Sequence, residues 1–432
     1  MIDLPLNWCE CKLEDLGSFF GGYAFKSSNY SSNGARVVRI TNVQKGYFDD
    51  ESPKFYNIQE SLNVFLLQND DILISLTGNV GRVCKIEQKY LPAYLNQRVE
   101  AFRIGDKICS KFVYYFMQQQ DFEKKCIENS KGVAQKNMSP EYIKKYLILL
   151  PPLAEQERIV EKIEALFADI DEGVEHLKLA QAQIKQYRQS VLKSAFKGKL
   201  YKTTDWKEVQ LKDVCDINPK TELPSISDTE FVSFLPMTNV EAETCLYNAE
   251  KVEYSKVKKG YTKFQNKDIL FAKITPCMEN GKGCIVDNLI KGVGFGSTEF
   301  HVLRSSGKIL PNLLIFFVLS LSFRKEAKAH MTGAVGQQRV PADFIKNHAF
   351  FLPTLPEQQH IVEEIEKRFA VADELEKAVN EGLEKADKLK QSILKKAFEG
   401  KLVAQNPNDE PASVLLDRIK KSQTPTKGKK KC

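Results

Sequence analysis

One half of this chain repeats the other. Residues 151–167, PPLAEQERIVEKIEALF, align without a gap with residues 353–369, PTLPEQQHIVEEIEKRF, at an offset of 202. The same offset pairs QSVLKSAFKGKL (189–200) with QSILKKAFEGKL (391–402). Roughly 20 of about 50 aligned positions are identical, and the diverged middle has kept its length. Fixed length with free surface chemistry is what a rod needs. Weaker echoes link the remaining parts: Trp8, Glu10, Leu13 and Asp15 match Trp206, Glu208, Leu211 and Asp213. Thr41-Asn42-Val43 matches Thr238-Asn239-Val240, and Asp71-Ile72-Leu73 matches Asp268-Ile269-Leu270. The implied plan is domain, rod, domain, rod, tail, with two like domains about a pseudo-twofold axis.

The rods are predicted to be helices. Apolar residues recur at 159, 163, 166, 170, 174, 177, 184 and 191 in the first, and in matching steps of three and four from 361 to 393 in the second. Pro151, Pro152, Pro353 and Pro356 sit at the starts, where proline is tolerated. Gly198 and Gly400 sit at the ends, where a left-handed cap favours glycine. Gly173 and Gly382 are weak points inside each rod. About 45 residues span on the order of 65 Å. An amphipathic helix of that length is unstable alone, so the expected partner is the other rod, running antiparallel.

The fold class expected is α+β: two mixed α/β domains separated by two long antiparallel helices. The boundaries are a domain over 1–150, a helical spacer over 151–203, a second domain over 204–352, a second spacer over 353–403, and a disordered basic tail over 404–432. Residues 36–40, 72–76 and 99–103 read as strands, and 110–128 and 311–331 as helices. Polar, glycine-bearing loops lie between, at 75–82, 130–137, 272–283, 294–300 and 331–339.

Composition excludes more than it selects. A net charge of +7 permits an acidic partner without requiring one. The ten cysteines include no CxxC pair, so free thiols in a reducing compartment are expected rather than zinc. The opening MIDLPLNWCECKLEDLG has acids and a proline where a signal peptide needs a basic start and an apolar core. With no apolar stretch of membrane-spanning length, a cytoplasmic protein is expected. No GxxxxGK[ST] phosphate loop and no GxSxG elbow occurs. The only Pro-Pro pair follows Leu150, not the Asn or Asp of an amino-methyltransferase. Asp121, Glu123 and Lys125 faintly suggest a nuclease core but fall at helical spacing on a charged face.

The doubled LPPLAEQERIV and LPTLPEQQHIV, with QSVLKSAFKGKL and QSILKKAFEGKL, resemble the conserved helical regions of type I restriction-modification specificity subunits. DILFAKITPCMENGKG, GFGSTEFHVLR and MTGAVGQQRVP look like stretches of that family's target-recognition domains. The resemblance covers nearly all of the chain except the tail. It implies that each domain reads one half of a split sequence in double-stranded DNA. It also implies that the helices dock two modification (methyltransferase) subunits, with restriction (motor-nuclease) subunits further out. S-adenosylmethionine, ATP and Mg would then belong to the partners, no cofactor or metal to this chain, and the chain itself would not be an enzyme.

Base reading needs Asn, Gln, Arg and Lys on adaptable loops. The candidates are Arg39, Thr41, Asn42, Arg82, Gln135, Lys136 and Asn137 in the first half. In the second they are Thr238, Asn239, Lys273, Asn280, Lys282, Gln337, Gln338 and Arg339. The candidates for partner binding along the helices are Glu155, Gln156, Ile159 and Phe167, with Glu357, Gln358, Ile361 and Phe369. Two rival readings remain: a coiled-coil scaffold with no DNA specificity, and a self-contained restriction enzyme with an unrecognised nuclease centre.

Overall fold

The computed structural model describes residues 4–132, 136–200, 206–334 and 336–423, the side chains of 422 and 423 excepted. Two compact units emerge, one built from two separate stretches of chain and the other from a single stretch. Unit 1 comprises Met1–His176 and Gly382–Cys432, and unit 2 Leu177–Glu381. The expected helices form as Leu153–Phe196 and Leu355–Phe398, 44 residues each. Each gives its first half to one unit and its second half to the other. Both run unbroken through Gly173 and Gly382. Both end on a left-handed glycine, Gly198 (φ +68°) and Gly400 (φ +69°). The following amide closes each cap: Lys199 N donates to Ser194 O and Lys401 N to Lys396 O.

In unit 1 an antiparallel sheet has the order Gly17–Gly21, Val99–Ile104, Ile72–Ser75, Val83–Lys85. A second sheet orders Phe55–Tyr56, Ala35–Val38 and Ala93–Leu95, the last two running parallel. Unit 2 repeats this plan. Cys215–Ile217, Phe300–Ser305, Ile269–Ala272 and Gly283–Ile285 form its first sheet. Glu250–Glu253, Phe231–Leu235, Val293–Gly296 and the extra strand Thr262–Gln265 form its second. A two-stranded ribbon ties the start of each domain to the strand that leads into a long helix. Cys9–Lys12 pairs with Leu147–Leu150, and Lys207–Gln210 with Ala349–Leu352.

The long helices pair inside each unit. Ile159 and Ile163 share a core with Ile393, Leu394 and Ala397 in unit 1, and Val191, Leu192 and Ala195 share one with Ile361, Val362 and Ile365 in unit 2. The antiparallel sense is explicit in unit 2, where Gln181 meets Asn380 and Arg188 meets Asp373. A cation seals each pairing at the same place in the repeat. Lys390 lies over the Phe167 ring at 5.1 Å and pairs with Asp171; Arg188 lies over Phe369 at 5.2 Å and pairs with Asp373 and Glu376.

Two expectations need correction. The tail is not structureless from 404, because Ala412–Gln423 is a helix. Its stripe of Ala412, Leu415, Leu416 and Ile419 is buried in the core of unit 1, and Ala412 N donates to Asn7 O at 3.0 Å. The spacing i, i+3, i+4, i+7 supplies an apolar face that the prolines before it obscured. The helices expected over 110–128 and 311–331 are each two helices, Ser110–Met117 with Gln120–Glu128 and Pro311–Leu319 with Leu321–Ala329. A long-helix glutamine occupies each break. Gln391 Oε1 accepts from Gln120 N and Gln189 Oε1 accepts from Leu321 N, both at 2.8 Å. The first N–H of the second helix, otherwise unsatisfied, is thereby paired.

Among the described residues all cysteines are free, no cluster of three or more metal-ligating side chains occurs, and no helix is long and apolar enough to cross a membrane.

Candidate nucleic-acid interface

The loops singled out in the sequence converge in each unit at the ends of the first sheet's strands. In unit 2 backbone bonds stitch three of them together. Lys273 N donates to Glu299 O (2.9 Å), Val340 N to Lys273 O (2.9 Å) and Thr275 N to Gln338 O (3.0 Å). Thr332 and Arg339 exchange both of their backbone bonds. Unit 1 has the same stitching. Leu76 N donates to Arg98 O (3.1 Å), Met138 N to Leu76 O (2.8 Å) and Gly78 N to Lys136 O (3.0 Å), and Lys131 and Asn137 exchange both bonds. The backbone framework is thus common while the side chains it carries are not. Arg98 stands where unit 2 has Glu299, Lys136 where it has Gln338, and Asn137 where it has Arg339. A constant support with variable polar tips is the arrangement expected of two domains that read different base sequences.

The candidates divide by what their side chains already do. Lys136, Asn280 and Gln337 are exposed on these loops, Lys273 and Gln338 half-buried. Asn137 is exposed and accepts from Thr77 Oγ1 at 3.0 Å. Lys282 reaches back to Met237 O (3.0 Å), and Arg82 donates to Gln44. Thr41 and Thr238 are exposed, whereas Asn239 donates to Asn248 O and Glu250 Oε1, both at 3.0 Å. Arg39 is half-buried and donates to Ser52 O (2.8 Å). Gln135 lies outside the described residues. Asn42 is not available as a reader. It is 3% exposed, and its amide braces a turn by accepting from Arg39 N (2.9 Å) and donating to Asp49 O (2.7 Å). A short amide that bonds its own neighbouring backbone is a turn device, and nothing in its type distinguishes that use from base contact.

Arg339 is held most tightly. Its Nε and Nη2 donate to Glu299 Oε2 (2.9 Å) and Oε1 (2.8 Å), and Nη1 donates to Gln337 O (3.0 Å). The guanidinium bonds hold the Glu299 carboxyl below its ordinary range. Arg98 and Glu299 were not among the sequence candidates. Their signal was positional, since each is the residue whose carbonyl the loop framework uses.

The helix candidates turn inward. Glu155 and Ile159 are 1% exposed, Gln156 and Gln358 0%, and Ile361 1%. Glu155 accepts from the Trp8 indole at 3.0 Å, and burial pushes its carboxyl up against the pull of that bond. Gln156 Oε1 accepts from Cys109 N (3.1 Å), and Gln358 Oε1 from Leu310 N (2.8 Å). Their amides donate to Pro151 O and Pro353 O, both at 2.9 Å. These five residues are therefore buried where each long helix meets its own domain. Glu357 accepts from Thr354 N and Oγ1, and Phe167 and Phe369 lie half-buried under the cations described above.

A surface feature does recur. Each unit has a cleft at one place in the repeat, of about 620 Å³ in unit 1 and about 650 Å³ in unit 2. Gln391, Lys395 and Phe398 line the first, and their repeat partners Gln189, Lys193 and Phe196 line the second.

Comparison with known proteins agrees with the repeat. Residues 5–179 and 203–385 each match the type I restriction modification DNA specificity domain. Over the whole chain the sequence is 26% identical to the EcoBI specificity subunit of Escherichia coli, covering 95% of that protein. It is 28% identical to the EcoKI specificity subunit of Escherichia coli strain K12, over 99% of this chain and 98% of that one. The EcoAI specificity subunit is 34% identical over 269 residues, 52% of this chain, and the match spans under half (45%) of that relative's length. A solved chain from work on complex assembly and conformational transition of the type I R-M system has the same fold, with a TM-score of 0.66 at 18% identity over 93% of this chain and all of that one. With both halves matched and the full length shared with specificity subunits, the chain belongs to the type I restriction-modification DNA specificity family.

Proposed function

We propose that this chain is the sequence-recognition subunit of a type I restriction-modification complex. Residues 1–150 and 204–352 each read one part of a two-part sequence in double-stranded DNA. Two modification subunits supply methyl transfer to adenine with S-adenosylmethionine. Restriction subunits supply cleavage with ATP and Mg, and this chain, in the cytoplasm, is not itself catalytic. The supporting observation is the common loop framework that carries different polar side chains in the two units. One chain that reads two unlike half-sites needs that combination. Because the chain repeats, the surface for modification subunits should repeat too, and the twin clefts are the proposed place.

The test is an adenine-methylation map of host DNA with the gene intact and deleted. Loss of methylation at one split motif is expected on deletion. If a motif is lost and re-expression of this chain without a modification subunit restores it, the non-catalytic assignment fails. If the chain with its modification subunit selects no sequence from random duplexes, the scaffold reading replaces this one.

A further inference from the structure

Arg339 carries five N–H groups. Three are committed, Nε and one on Nη2 to Glu299 and one on Nη1 to Gln337 O. One N–H remains on each terminal nitrogen. A bidentate contact to the O6 and N7 acceptors of guanine can be made with one N–H from each terminal nitrogen. A carboxylate bonded to both donors of one edge fixes the plane of the guanidinium, so the remaining pair points in one direction.

Glu299 is itself well supported. Its backbone N donates to Ser297 Oγ (3.2 Å), and its carbonyl accepts from Lys273 N (2.9 Å). The pair is not required to hold the loops together. Unit 1 builds the same framework of backbone bonds with Arg98 and Asn137 at the matching places, which cannot form it. The Glu299–Arg339 pair is therefore a property of the side chains that differ between the units, and those are the ones that carry specificity.

We propose that Glu299 is a positioning residue that aims Arg339 at one guanine in the half of the DNA sequence read by unit 2. The proposal rests on the reading of this chain as a DNA-recognition subunit and deepens it.

The experiment uses the full chain assembled with its modification subunits and a library of duplexes randomised over the two-part motif. Binding selection is read base by base. Arg339→Ala is expected to lower guanine preference at one position of one half-site by on the order of tenfold or more. Glu299→Gln is expected to relax the same position, by a smaller factor, and to leave the other half-site unchanged. Arg339→Lys keeps the charge but loses the planar fork, so it should relax that position while retaining salt-dependent affinity, and it tests the idea even if Glu299→Gln folds poorly. If Arg339→Ala and Arg339→Lys relax one position but a folded Glu299→Gln does not, or if Glu299→Gln weakens all sequences equally, the positioning role is overturned and the pair only ties the loop. If Arg339→Ala changes preference nowhere, base reading by Arg339 is itself wrong, whatever Glu299 does.

Discussion

Asp71 and Asp268 are carboxylates almost wholly removed from water, and each has an arginine laid against it in bidentate fashion. Arg103 meets Asp71 at 2.8 and 2.7 Å, and Arg304 meets Asp268 at 2.7 and 2.8 Å. Each carboxylate also accepts a backbone N–H, from Gln68 or Gln265, so a buried charge is paired on every side open to it. Glu155 is the opposite case. Its one oxygen is bonded to Trp8 and the other has no partner, so burial dominates and the carboxyl is pushed up. The sign follows from linkage. With the folded pKa raised, the folded state binds more protons than the unfolded state. The contribution is fully present below the ordinary glutamate value and is lost as pH rises through the raised one. The unfolding midpoint of the native chain, taken relative to Glu155→Gln, should therefore fall from about pH 4 upward and level off above the raised value. A difference that stays constant with pH would show that Glu155 titrates normally.

At the scale of elements, the long helices act as clamps. Unit 1 is gripped by Gln156 at the start of one helix and Gln391 near the end of the other. Unit 2 is gripped by Gln358 and Gln189 in the same way. Each glutamine satisfies an N–H at a helix start that has no partner within its own helix. Gln358 is wholly buried, and its amide also serves Lys308 O and Pro353 O. Gln358→Ala should cost about 2–3 kcal/mol, because it leaves a buried donor and acceptors unpaired. Denaturant unfolding would measure this, and Leu310 should lose hydrogen-exchange protection. An unchanged midpoint would mean that the motif is kept for another reason.

At the scale of the whole molecule, the repeat predicts a count. Lys193 and Lys395 are exposed at equivalent places on the two clefts. Lys193→Glu should release one modification subunit from the assembled complex and Lys395→Glu the other, with both lost in the double variant. Native mass spectrometry reads this stoichiometry directly. Two subunits retained by the double variant would place docking elsewhere on the chain.

The amino-acid order alone determined the architecture of two like domains and two matched helices, with caps at Gly198 and Gly400. Those features rest on periodicity, length and backbone chirality, which are written locally. It also marked the loops that converge, because glycine and polar residues are legible as turns. What it left undecided was the direction in which a side chain points. Asn42 and Asn137 are the same residue type in similar loops, yet one braces a turn and the other is exposed at the meeting of the loops. Gln156 and Gln358 stood in the most recognisable motif and proved to be internal. Glu299 mattered only once Arg339, 40 residues away, was laid against it. Pairing across such distances depends on how strands and loops meet in space, and only the tertiary structure carries that information.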